Sequence, residues 1–161
     1  MRPLVISDAN ERYSKWLSNP IVSKFISVKP NIKELKSYVK SKITKNNILF
    51  LGIHTAKEKL HIGNIKYEPV NIEKKYALMG VLIGDQDWWG KGVACEVVTA
   101  SAKYLKDKYK IEEIILGVKE NNIAAIKAYK KIGFNFEKSK YLHEESESVL
   151  TMILKIKFLE S

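Results

Sequence analysis

Apolar positions along this chain switch between a helical spacing and dense or alternating runs, and the switches mark its elements. Ala9 to Leu17 puts Tyr13, Trp16 and Leu17 on one side of a helix, with Ser7-Asp8 as caps and Asn19-Pro20 as its stop. Leu4 to Ile6 ahead of it reads as a short first strand, and Val22 to Phe25 after it as a loop or short helical turn. Pro30-Asn31 caps a second helix reaching about Thr44, with Ile32, Leu35, Tyr38, Val39 and Ile43 at helical spacing. Three apolar strands follow: Ile48 to His54, Leu60 to Tyr67, and one that starts near Lys75 and runs into Val81. Their turns fall at Ala56 to Lys59 and Asn71 to Lys74. Past a glycine-rich break, Ala94, Val98, Ser101 or Ala102, and Leu105 stripe a helix to about Tyr109; Ile114 to Val118 is a buried strand. Asn121-Asn122 caps a last helix carrying Ile123, Ile126, Tyr129 and Ile132, and Gly133 ends it. Phe134 to Lys138 and Val149 to Phe158 complete the sheet, the latter alternating at Met152, Leu154 and Ile156. The order predicts a mixed α/β single domain without linkers or repeats.

The stretch Val81 to Val98, VLIGDQDWWGKGVACEVV, joins a strand to a helix through a glycine loop. Glycines there let backbone N–H groups converge, and the helix start adds partial positive charge, so the junction suits a phosphate. A tight connection without a ligand is the plainer reading of the same residues.

Composition narrows the class. A chain of 161 residues suits one domain. The single cysteine, Cys95, excludes an internal disulfide and a multi-cysteine zinc site, and fits a small buried helix residue better than a nucleophile. No apolar leader opens the chain and no window approaches a membrane span, so a cytoplasmic protein is expected. The net charge of +10 favours polyanions in general. No RNA-binding aromatic signature or zinc-finger spacing accompanies it, so nucleic acid is not the expected partner.

A second motif decides more. The run Asn122-Ile-Ala-Ala-Ile-Lys-Ala-Tyr129-Lys-Lys-Ile-Gly133-Phe134 follows Trp89-Gly90-Lys91-Gly92-Val93-Ala94 in an order that resembles the GNAT superfamily of N-acetyltransferases. WGKGVA and the opening RPLVISDANERYSKWLSNPIV are similar to the branch holding ribosomal-protein N-terminal and sugar-nucleotide amine acetyltransferases. Trp89 departs from the Arg or Gln usual at its position in that loop. The resemblance implies a single GNAT domain over residues 1–161, with a mostly antiparallel mixed sheet flanked by about four helices. It implies acetyl-CoA as co-substrate and no metal. The pyrophosphate would lie on the N–H groups of Gly90, Lys91, Gly92, Val93 and Ala94, beside Trp89, and the pantetheine arm along Leu82, Ile83 and Gly84. Asn122 would bond that arm while capping its helix, and Lys131 would face the adenosine phosphates, with Lys127 and Lys130 toward solvent.

The implied reaction is direct attack of an amine on the thioester, with the backbone near Leu82 polarising the carbonyl. Tyr129 is the expected general acid for the departing thiolate; without the motif, a tyrosine on an apolar helix stripe reads as core. The base stays open among Glu68, Asp85, Glu96 and His143, and Glu96 also suits its helix dipole. His54 and His61 sit at strand ends and read as core or edge residues. An amine of pKa near 10.4 is neutral in roughly one molecule in 2,500 at pH 7, a penalty of about 4.6 kcal/mol, so a lysine or polyamine acceptor needs a strong base. Trp88 and Trp89 either wall a substrate site or pack under the sheet. Glu144, Glu145 and Glu147 read as a solvated turn or as a cation-recognising cluster.

The favoured acceptor is the amine of a small metabolite, first an amino sugar nucleotide, on branch and charge. Protein N-termini and polyamines are the alternatives within the activity, and a non-catalytic acyl-CoA or RNA binding module is the alternative outside it. A monomer or homodimer is expected.

Overall fold

The computed structural model describes residues 1–142 and 148–156. The strands are β1 (Arg2–Pro3), β2 (Leu49–His54), β3 (His61–Asn71), β4 (Tyr76–Ile83), β5 (Glu113–Lys119), β6 (Asn135–Phe136) and β7 (Val149–Lys155). The helices are α1 (Glu11–Ser18), α2 (Pro20–Ser23), α3 (Ile32–Ile43), α4 (Val93–Tyr109) and α5 (Ile123–Ile132). The seven strands form one mixed sheet in the order β1-β2-β3-β4-β5-β7-β6. β1 with β2, β5 with β7 and β6 with β7 run antiparallel, and β4 with β5 parallel. This is the mixed α/β class expected, and the short helical turn expected at Val22 to Phe25 starts earlier, as α2, because Pro20 opens it behind the Asn19 side chain.

The chain divides into two compact units, Met1–Lys66 with Val81–Val93, and Tyr67–Gly80 with the described residues from Ala94 onward. The first unit packs α1 and α3 onto β2 through Tyr13, Trp16, Leu17, Leu35, Val39 and Phe50. Of the positions expected to face inward, Tyr13, Trp16, Leu17, Leu35 and Val39 are buried and Tyr38 and Ile43 pack partly buried against them, while Ile32 is half-buried outside this cluster. The caps differ from expectation at α1: Asn10, not Ser7-Asp8, accepts from Arg12 N and Tyr13 N, and the helix starts at Glu11. The expected strand Leu4 to Ile6 is also displaced. Leu4 N still donates to Phe50 O at 2.9 Å, but Asp8 accepts from Val5 N at 2.9 Å and curls Ile6–Asp8 into a 3₁₀ turn. Asn31 caps α3 as expected, accepting from Lys33 N and Glu34 N.

In the second unit Tyr76, Ile115 and Ile153 form a cluster that Leu78 and Tyr141 join, with Tyr141 stacked on Tyr76 at 3.9 Å. The described part of the last strand does not alternate. Thr151, Met152, Ile153 and Leu154 are all buried, because β7 lies between β5 and β6 and is covered on both faces. Phe158, the expected end of that strand, falls outside the described residues. Ser101 and Ala102 are both buried on α4, and the Ser101 hydroxyl bonds Tyr67 Oη at 2.8 Å.

The parallel ladder between β4 and β5 covers Tyr76↔Glu113 to Leu78↔Ile115, although β4 continues to Ile83. Beyond Leu78 one edge of β4 has no β5 partner among the described residues, which leaves backbone groups available to a ligand.

Candidate active site

β4 ends against α1. Gly84 N and Asp85 N both donate to Ile62 O, at 2.9 and 3.1 Å. A Cβ on Gly84 would stand 2.1 Å from Cδ2 of Trp16, so the indole lies directly on the glycine. Asp85 then caps the one-turn helix Gln86–Trp88, accepting from Asp87 N at 3.1 Å. Trp89 turns back and donates its indole N–H to Ile83 O at 2.7 Å. The residue that departs from the usual polar loop position thus still supplies a hydrogen bond, spent on closing the loop onto β4. Its ring stays 42% exposed, and Trp88 carries Lys91 Nζ over its face at 5.3 Å.

Gly90 and Gly92 take φ values of 70° and 78°, and a Cβ at either would meet open space. Backbone conformation, not crowding, requires glycine here. α4 starts at Val93, so the first N–H groups of a long helix follow immediately. Left-handed glycines leading directly into a helix start are the backbone elements from which an anion cradle is built. The bonds already made change one expectation in detail: of the expected strand contacts, Gly84 N is occupied by Ile62 O and Ile83 O by the Trp89 indole.

A cleft of about 430 Å³ opens in this unit, lined by Arg12, Lys15, Trp16, Asn19, Asp85 and Asp87 among others. Arg12 donates through Nη2 to Asp85 Oδ2 at 2.6 Å and through Nε to His61 O at 2.8 Å. Asp85, a sequence candidate for the base, is therefore ion-paired, with its other oxygen on Asp87 N. The carboxylate of Asp87 is exposed and has no partner among the described residues. Sequence reasoning passed over Arg12, since its partner lies 73 positions away and no local pattern marks it.

In the second unit Asn122 caps α5, accepting from Ala125 N at 3.3 Å. Gly133, at φ 111°, ends the helix with its N–H on the carbonyls of Tyr129 and Lys130. Tyr129 is partly buried, its ring 5.6 Å from Phe134, and its hydroxyl makes no hydrogen bond among the described residues. Burial pushes its pKa up to about 12, so the hydroxyl holds its proton at neutral pH. Lys130 lies over the Phe136 ring at 4.7 Å, and Lys127 and Lys131 are exposed. Of the other base candidates, Glu68 is half-buried on β3, Glu96 is exposed in the first turn of α4, and His143 lies outside the described residues with Glu144, Glu145 and Glu147. No helix among the described residues is long and apolar enough to cross a membrane.

Residues 1–135 match the family model of the acetyltransferase (GNAT) domain. A spermine/spermidine N(1)-acetyltransferase of Bacillus subtilis is 38% identical over 52 residues, 32% of this chain and 34% of that protein. An N-alpha-acetyltransferase of Saccharolobus solfataricus is 35% identical over 80 residues, 50% of this chain and 46% of that protein. The matches thus span a third to just under half of these curated relatives. Among solved structures, the dodecameric spermidine N-acetyltransferase from Vibrio cholerae superposes with a TM-score of 0.76 at 20% identity, covering 97% of this chain and 92% of that one. That likeness concerns the fold.

Proposed function

Because this chain belongs to the GNAT acetyltransferase family, whose members use acetyl-CoA, we propose that it transfers acetyl from acetyl-CoA directly to a primary amine of a cationic small molecule, of the polyamine class. The observation that carries the acceptor class is the Arg12–Asp85 ion pair. It neutralises the cleft's arginine and leaves Lys15 as the lining's remaining cation beside the unpartnered carboxylate of Asp87. An amino sugar nucleotide, with its pyrophosphate, calls for a denser basic lining. A polycation suits Asp87, and the named activity of the Bacillus subtilis relative agrees.

In the proposed reaction the amine nitrogen attacks the acetyl carbonyl carbon, the C–N bond forms and the C–S bond breaks. The β4 backbone near Leu82 polarises the carbonyl, since the N–H groups of Gly84 and Asp85 are already donated to Ile62 O. Gly90 to Ala94 hold the pyrophosphate at the start of α4, where converging N–H groups and the helix dipole favour negative charge. Asn122 bonds the pantetheine arm. Tyr129 gives its proton to the departing thiolate, a role that burial supports by keeping the phenol protonated. Asp87, beside the cleft, takes the proton that the ammonium must lose, directly or through water.

Thiol release from acetyl-CoA, measured with spermidine, a peptide with a free N-terminus and an amino sugar nucleotide, tests the reading. The expected result is the highest kcat/KM with spermidine, falling by about 10²-fold or more in Asp87→Asn. A preference for either other acceptor overturns the acceptor class. No thiol release with any amine, together with steeply salt-sensitive RNA binding, overturns the activity in favour of a binding module.

A further inference from the structure

Behind the cleft, in the same compact unit, three metal-ligating side chains converge that the proposed reaction does not use. Asp8 comes from the 3₁₀ turn after β1, His54 from the end of β2 and His61 from the start of β3. One donor atom from each lies within 4.8 Å of the other two. Asp8 and His61 are 6% and 7% exposed, and His54 is half-buried. The two imidazoles stack at 4.8 Å with 15° between their planes.

The hydrogen bonds of this group do not close. His61 Nε2 is satisfied by Asn64 Oδ1 at 2.8 Å, which leaves Nδ1 as its second nitrogen. Nδ1 of His61 and Nδ1 of His54 are buried without a hydrogen-bond partner among the described residues. Two orphaned imidazole nitrogens in one small volume are costly in an apolar interior. Asp8 is anchored by Arg2, at 2.6 Å on Oδ1 and 2.8 Å on Oδ2, and by Val5 N on Oδ2. A carboxylate offers about four lone-pair sites, so Oδ1 keeps one for another partner.

We infer that Asp8, His54 and His61 form a binding site for a divalent transition-metal ion of the zinc, cobalt or nickel class. Two neutral imidazoles and a carboxylate are the donor set such ions take, with water completing the shell. Tetrahedral coordination at 2.0–2.2 Å needs donor separations of about 3.4 Å, so the cluster must tighten by an ångström or so. Asp8 is held by Arg2 and Val5 N, so the adjustment falls to His54, half-buried beside the Thr55–Leu60 turn, whose ring must also turn out of its stack on His61 because the nitrogen lone pairs lie in the ring planes. Asn64, on His61 Nε2, is already placed as the partner that orients a metal-bound imidazole.

Occupancy would be felt in the cleft. The His61 ring lies 4.9 Å from that of Trp16, edge to face, and Trp16 covers Gly84. A bound ion would tie β1 to the β2–β3 turn and stiffen the floor on which Trp16 rests.

Titration of the untagged chain with Co²⁺, followed by visible ligand-field absorption, tryptophan fluorescence and thermal unfolding, tests this. His54→Gln, Asp8→Asn and His143→Gln serve as variants, each checked for fold by circular dichroism. Binding of one ion per chain with quenched fluorescence and raised Tm, retained in His143→Gln and weakened by more than about tenfold in both other variants, supports the site. No uptake by the wild type overturns it, and so does uptake unaffected by His54→Gln in a chain that remains folded.

Discussion

Two residues carry different kinds of necessity. Gly84 is required by what lies on it: the Trp16 indole occupies the space of any Cβ. Gly84→Ala should destabilise the fold by about 2 kcal/mol in chemical denaturation and disturb the tryptophan fluorescence, as overpacking does. Gly80, on β4 just before it, has nothing within 4 Å of its Cβ position, and Gly80→Ala should stay within about 0.5 kcal/mol of wild type. Tyr129 is necessary for chemistry on our reading, not for packing. Tyr129→Phe is expected to lower kcat by roughly tenfold to a thousandfold while acetyl-CoA affinity holds. Wild-type turnover in that variant would remove its role as acid.

Asparagine caps at α3 and α5 look alike locally and separate under test. Asn31 accepts from Lys33 N and Glu34 N, and Asn31→Ala should cost about 1 kcal/mol with no effect on ligand affinity. Asn122→Ala should cost as much and also weaken acetyl-CoA binding, if the side chain serves the pantetheine arm. Calorimetry on both variants distinguishes a cap from a cap with a second duty. The loop before α4 makes a comparable test. At φ 78°, Gly92→Val forces a β-branched residue into left-handed backbone. Loss of acetyl-CoA binding is the expected outcome, and undiminished binding would reduce the loop to an ordinary connection.

For the molecule as a whole, the shifted groups fix the response to pH. Burial raises the phenols of Tyr13, Tyr67 and Tyr129 above their ordinary value of 10. Above pH 10 the unfolded chain therefore releases protons that the folded chain keeps, and stability falls as pH rises. On the acid side, burial would raise Asp8, but the bonds from Arg2 and Val5 outweigh it and the carboxyl is lowered; His61 is lowered mainly by burial. Both groups bind protons more readily when unfolded, so the stability they contribute is full above their ordinary values of 6.5 for His61 and 3.8 for Asp8 and is lost progressively as pH falls below them. Denaturant midpoints across pH 3 to 11 should trace this dome, and a midpoint that climbs above pH 10 would contradict the burial of the tyrosines.

Local pattern determined the elements and the family. Helical spacing at Leu35 and Val39, the Asn31 and Asn122 caps, and the glycines at Gly90, Gly92 and Gly133 act over a few residues, where propensity and backbone sterics leave little choice. The alternation at Met152, Leu154 and Ile156 misled because covering both faces of β7 depends on strands far away in sequence. Likewise, Arg12 on Asp85, Trp16 on Gly84, and Asp8 beside His54 and His61 join residues whose partners lie on other elements. Only the folded chain decides them, since a buried charge or imidazole acquires its partner, and so its chemistry, when tertiary packing takes water away.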